Sequence, residues 1–175
     1  MAITFLNIVV GEGALTVDGS DVGATQDGAE IAWEPDMVDI EIDQFGDAAR
    51  VVQSKMKVSL KTKLAEATLE NLSLVWGYDD ADITNNGTIK TMPISLHGVY
   101  PEEHTIVLVG NAPGSTATLT KTRTYTCGRA VSYTSSSHML KRAENVAFPV
   151  DFRILPDPTQ TGSEYGTIVD DLIGS

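Results

Sequence analysis

Two neighbouring stretches of this chain alternate with a period of two, and little but an extended hairpin can satisfy them. From Asp36 to Gln44, Val38, Ile40 and Ile42 alternate with Asp39, Glu41 and Asp43. That is the pattern of a strand with one dry and one wet face. From Val51 to Lys63, Val52, Met56, Val58 and Leu60 fall on one face, and Lys55, Lys57, Lys61 and Lys63 on the other. Phe45-Gly46-Asp47-Ala48-Ala49 lies between and supplies the Gly and Asp that a turn needs. Charge and apolarity suggest a register with Asp43 opposite Val51. Asp39 then faces Lys55, Glu41 faces Gln53, Ile42 faces Val52 and Val38 faces Met56. A one-residue slip is disfavoured because it moves every side chain to the wrong face, whereas a two-residue slip keeps the parity and stays open. The first arm begins at Ile31–Glu34, and Pro35 marks an edge or a bulge in it.

A helix is expected directly after the hairpin, over Ala65 to Trp76. Ala65, Leu69, Leu72 and Trp76 form one stripe at i, i+4, i+7 and i+11, and Gly77 ends it. Lys63 and Leu64 offer no N-cap, so packing must hold its start.

Further strands are expected at residues 3–10, 14–17, 88–96 and 105–109. Ile106-Val107-Leu108-Val109 is continuously apolar, which calls for cover on both faces. A long strand from Thr116 to Tyr133 would carry Thr116, Thr118, Thr120, Thr122, Thr124 and Thr126 on one face, a threonine ladder suited to β-structure. The return strand of this second hairpin places Val146, Phe148, Val150, Phe152 and Ile154 on one side. Pro149 marks it as an edge or a bulge. The chain is thus read as a mainly β domain over residues 1–155, a sandwich or small barrel with two long hairpins and one flanking helix. Residues 156–175 follow as a Pro- and Gly-containing linker and a tail. The tail regains apolar character at Thr167 to Ile173, and docking on a neighbouring subunit is expected of it.

Composition narrows the function. The chain has 175 residues and a net charge of −12, which argues against a nucleic-acid gripper and against anchoring on an anionic membrane. No apolar run approaches the roughly 20 residues of a membrane helix, and the N-terminus lacks the basic start of a signal peptide. Folding in a cytoplasm is therefore expected. Cys127 is the single cysteine, read as a small core residue on a strand. His97, His104 and His138 are scattered, without zinc-ligand spacing. Gly11-Glu12-Gly13 lacks the frame of a phosphate loop. The acidic loop Tyr78 to Gly87 misses the Gly and Glu that a calcium loop begun at Asp80 requires. Neither a nucleophile elbow nor a Walker loop is present, and Asp39, Glu41 and Asp43 read as a strand face rather than an acid/base pair. No enzyme activity, cofactor or metal is expected.

Three runs carry a family resemblance: Gly23 to Ile31, Asp43-Gln44-Phe45-Gly46, and Lys63 to Leu72. Together with Phe148 to Asp157, they make residues 20–157 similar to the major tail proteins that form the tail tube of long-tailed bacteriophages. The resemblance implies a structural virion protein, assembled in the host cytoplasm into stacked hexameric rings that form a hollow tube for DNA ejection. It also implies tape-measure and tail-terminator or baseplate proteins as partners, and DNA that passes without specific binding. Long strands joined edge to edge line such a tube. Asp39, Glu41, Asp43, Lys55, Lys57, Thr120, Thr122 and Thr124 are therefore candidate lumen or inter-subunit residues. Phe45, Asp47, Asp79, Asp80 and Asp82, together with the tail, are candidates for ring stacking. An acidic lumen would repel duplex DNA, which carries one charge per ~1.7 Å. Two alternatives stay open: a tube subunit of a contractile bacteriocin or secretion apparatus, and a monomeric β-sandwich binding or adhesion module. The second would call for a cluster of exposed aromatics, and none is evident in the sequence.

Overall fold

The computed structural model describes residues 13–43, 46–94, 101–116, 119–133, 137, 146–171 and 173. The protein is mainly β, with antiparallel strands and one α-helix, as expected. The strands are β1 (Gly13–Val17), β2 (Ser20–Asp21), β3 (Thr25–Glu41), β4 (Ala48–Leu64), β5 (Thr84–Asn85), β6 (Lys90–Thr91), β7 (Glu103–Asn111), β8 (Thr122–Ser132), β9 (Phe148–Ile154) and β10 (Thr167–Asp170). The main sheet runs β2-β1-β7-β8-β9-β4-β3, and β10 pairs with β8 off that path. Although β1 and β3 lie near opposite ends of this order, they touch. The sheet therefore curls around a single core.

Alternation builds that core. In β9, Phe148, Val150, Phe152 and Ile154 are buried while Pro149, Asp151 and Arg153 are half-buried. Val58, Leu60 and Leu64 of β4, Leu15 and Val17 of β1, Ile106 of β7 and Cys127 and Ala130 of β8 join them. Burial pushes the Cys127 thiol up, away from the thiolate form. In β7, Ile106 is fully buried, and Val107, Leu108 and Val109 are half-buried.

The helix α1 (Leu69–Trp76) is shorter than its apolar stripe suggested. Thr68 caps it, its side-chain oxygen accepting from the Asn71 N–H at 3.1 Å. Gly77 closes it in the left-handed conformation at φ 72°. Its buried side is Asn71, Leu74 and Val75, with Leu72 and Trp76 packed at the margin. Asn71 explains the difference. Its side-chain amide donates to the carbonyls of Val22 at 3.0 Å and Glu66 at 2.9 Å, so a polar residue pins the helix to the connection between β2 and β3.

Other expectations are corrected. Strand β8 starts at Thr122, because an isolated bridge between Thr116 and Leu119 turns the chain first. Of the described threonines in the ladder, Thr122, Thr124 and Thr126 lie in the strand, and Thr120 precedes it. Within the described part of the expected 88–96 strand, residues 88–94, the strand is β6, whose partner β5 lies just across the Asn86-Gly87 turn. β9 is interior, between β8 and β4, rather than an edge. Among the described residues its ladder with β8 spans Phe152–Ile154, and Pro149 lies in its ladder with β4. Within the chain, the tail forms β10 at Thr167–Asp170 and pairs with β8.

Candidate assembly interface

The long hairpin is the feature that most needs a partner. β3 and β4 pair from Thr25↔Leu64 out to Glu41↔Ala48. On its other side β4 pairs with β9 only from Leu64 to Val58. Beyond Val58 the two strands run on as a two-stranded ribbon, with no described third strand beside it. Among the described residues β3 is an edge strand over its whole length, which suits Pro35 within it.

The register departs from the one that charge alone suggested. Asp39 faces Val51, Glu41 faces Ala48, and Val38 faces Val52. Lys55 lies opposite Asp36, and Lys57 opposite Glu34 with 3.6 Å between charged atoms. The structure thus separates Asp39 and Glu41 from Lys55 and Lys57. Over Met37–Ile40 the pairing is slipped by four residues from that expectation, and one-residue bulges change it between Asp36 and Met37 and again between Ile40 and Glu41. At the first, Ser54 is the extra residue on β4, and its hydroxyl donates to the Asp36 carbonyl at 3.1 Å.

That bulge separates two kinds of hairpin. Below it, the face turned to the core holds the opposed pairs Ile31–Leu60, Trp33–Val58 and Pro35–Met56. The outer face holds Glu30–Lys61, Glu34–Lys57 and Asp36–Lys55. Above it, the apolar phase of β3 changes side. Val38, Ile40 and Ile42 continue the side that carried Glu34 and Asp36, whereas Asp39 and Glu41 continue the side of Ile31 and Trp33. Val52 joins Val38 on that new apolar face, because the extra residue reverses the phase of β4. Trp33, Met37, Val38, Ile40, Ile42 and Val51 are each more than 40 % exposed, a concentration unusual for a finished surface.

The other expected positions are dispersed. Thr122 and Thr124 lie in β8, half-buried. Asp47, near the hairpin tip, accepts the Ala48 N–H at 2.7 Å. Phe45 lies outside the described residues. Asp80 and Asp82 form a single 3-10 turn after α1, which Asp79 caps by accepting the Ala81 N–H at 2.9 Å. Among the described residues no three His, Cys, Asp or Glu side chains converge on a possible metal site. A groove of about 430 Å³ lies at the hairpin base, where Asp27 and Gly28 bulge outward. Its lysines already have partners, Lys63 with Asp27 at 2.7 Å and Lys61 with Asp151 at 3.9 Å.

No family model matches the chain, and no curated protein matches it.

Sequence reasoning missed two arrangements. His104 is buried, with Nδ1 at 2.7 Å from Asp18, whose other carboxylate oxygen accepts the Thr105 N–H at 2.7 Å. Nothing in the spacing of residues 18 and 104 signals that pair. The second is a clasp across β8 and β10. Arg123 donates from Nε and Nη2 to the two oxygens of Asp170 at 2.6 and 2.7 Å, holding that carboxyl below the usual range. The regained apolar character of Thr167 to Ile173 did point to a docking tail, but not to a strand or to the strand it would join.

Proposed function

We propose that this protein is a self-assembling structural subunit, a tail tube protein whose copies close into rings and stack around a channel that passes DNA. The observation that carries the reading is the ribbon beyond Val58. Among the described residues it leaves the sheet with open edges, and it turns an apolar stripe, Val38, Ile40, Ile42 and Val52, away from the side its own core uses. Unpaired edges and contiguous exposed apolar residues both invite association. Head-to-tail contacts between unlike surfaces build rings or filaments. The resemblance of residues 20–157 to tail tube subunits supplies the form of the assembly. With it come hexameric rings, tape-measure and terminator or baseplate partners, and residence in a virion tail.

The net charge of −12 fits a conduit better than a clamp. Carboxylates on the wall would repel duplex DNA within the ~8 Å over which charge acts in physiological salt. The DNA would then slide instead of sticking. Asp39, Glu41 and Asp43 are the first candidates for that wall.

Negative-stain microscopy of concentrated purified protein tests the reading. Hollow rods or closed rings are expected. A strictly monomeric protein at every concentration would overturn it, and a net basic channel in a solved ring would overturn the repulsion mechanism alone.

A further inference from the structure

Strands β9 and β10 lie along the same side of β8, and in register terms they are one interrupted strand. Ile154 pairs with Ala130, and Thr167 pairs with Thr126. Between these pairs β8 advances four residues and the returning chain thirteen, so nine residues are looped out. The excursion is closed by short local bonds. The Asp157 N–H donates to the Glu164 carbonyl at 2.7 Å, Gln160 to Asp157 at 3.2 Å, Ser163 to Gln160 at 3.2 Å and Gly166 to Ser163 at 2.9 Å. Tyr165 adds a partial anchor against the core.

β10 itself buries little. All four of its residues are exposed, with Ile168 at 66 % and Val169 at 56 %. It is held by its ladder from Thr126 to Arg123, by the Asp171 N–H donating to the Thr122 carbonyl at 2.8 Å, and by the Arg123–Asp170 clasp. The edge it covers is therefore a strand-binding site, and the one sequence known to fit it is Thr167–Asp170.

We infer that β10 is exchangeable: the β8 edge at Thr122–Thr126 takes the β10 strand of a second copy of this chain. Nine looped-out residues, if extended, carry β10 about 30 Å beyond its present position at ~3.3 Å per residue. Exchange keeps every contact that β10 now makes, because the second copy offers the same ladder and the same guanidinium. It also brings Ile168 and Val169 to the boundary between two subunits. This inference does not rest on the tube reading.

The clasp makes the test. Arg123→Asp alone and Asp170→Arg alone each set like charges against one another within their own chain. In an equimolar mixture, exchanged strands restore an opposite-charge pair at both crossings. We expect the concentrated mixture to yield dimers with the two variants in 1:1 ratio by native mass spectrometry, in excess over the homodimers that either variant gives alone. A second measurement avoids the clasp. Thr124→Cys protein mixed with Val169→Cys protein should form a disulfide-linked heterodimer on oxidation, since these positions are direct cross-strand partners. A mixture that stays monomeric by both measurements overturns the exchange. Rods without mixed species would sink the exchange and leave the tube reading standing. Mixed oligomers without rods or rings would support the exchange and count against the tube.

Discussion

The base and the tip of the long hairpin belong to the same two strands, yet they behave as different materials. At the base, Leu60 and Val58 are buried against β9, and lysines face carboxylates across the outer surface. At the tip, Val38, Ile40 and Val51 are exposed. Composition does not separate the halves, since both alternate apolar with charged residues. The difference comes from Ser54, which shifts β4 by one residue against β3, and from Met37-Val38, which changes the apolar phase of β3 itself. A buried core face and an exposed apolar face can thus share a single pair of strands.

The sharpest way to break this comparison is to truncate one side chain in each half. Leu60→Ala should destabilise the subunit by about 2–5 kcal/mol, the range for a buried leucine. Ile40→Ala should change it by no more than ~0.5 kcal/mol, as an exposed position does. Urea denaturation of the free subunit reads both. Microscopy should show the opposite order for assembly, with Ile40→Asp abolishing rods that the folded fraction of the Leu60→Ala protein still forms. Equal stability losses at the two sites would mean that the tip is packed like the base.

Gly166→Ala probes whether β10 sits close on β8. The glycine has φ 122°, and an added Cβ would lie 2.0 Å from the Thr126 carbonyl oxygen. The variant should release β10 while leaving the base of the hairpin intact. Faster hydrogen exchange confined to residues 122–126 and 167–171 is the expected outcome, and unchanged protection there would contradict it.

A smaller effect is expected at the helix. Thr68→Ala removes the cap that holds Asn71 and should cost about 1 kcal/mol in thermal or urea unfolding. The tip should not register the change. Smallest of all is Lys57→Ala, which removes an exposed pair with Glu34 worth no more than ~1 kcal/mol.

Acid should act on the clasps before it acts on the core. Arg123 holds Asp170, and Arg129 holds Glu103, below the ordinary carboxylate range. A folded value below the unfolded one contributes stability that is complete above the unfolded value. It is lost as pH falls through the folded one. The loss should therefore begin below about pH 4, where carboxylates ordinarily titrate. Exchange at β10 followed against pH would show it, and Asp170→Asn should remove the dependence at that strand.

Much of the fold could be read from the chain. The alternation of Phe148 to Ile154 predicted the most buried strand, and Asp36 to Lys63 predicted a hairpin, because a period of two follows directly from the pleat. Pro35 correctly marked an edge. The register was not legible. The facing of Asp39 with Lys55 looked favourable, but cross-strand charge pairs contribute only ~0.2–1 kcal/mol each. Burial of Val58 and Leu60 against β9 outweighs them, and bulges then reset the count. Adjacent apolar residues at Met37-Val38 were the available signal that the phase changes. For His104 with Asp18, and for Arg123 with Asp170, no local signal existed. Such pairs join residues 86 and 47 positions apart.

Local pattern, then, was enough to specify strands, turns and a β-rich class, because pleat and turn geometry depend on near neighbours. The direction in which the tip of the hairpin shows its apolar side, the partner of the last strand and the polar pin of the helix were set by folding. Each depends on which distant segments compete for the same edge or the same core, and burial summed over many residues settles that competition.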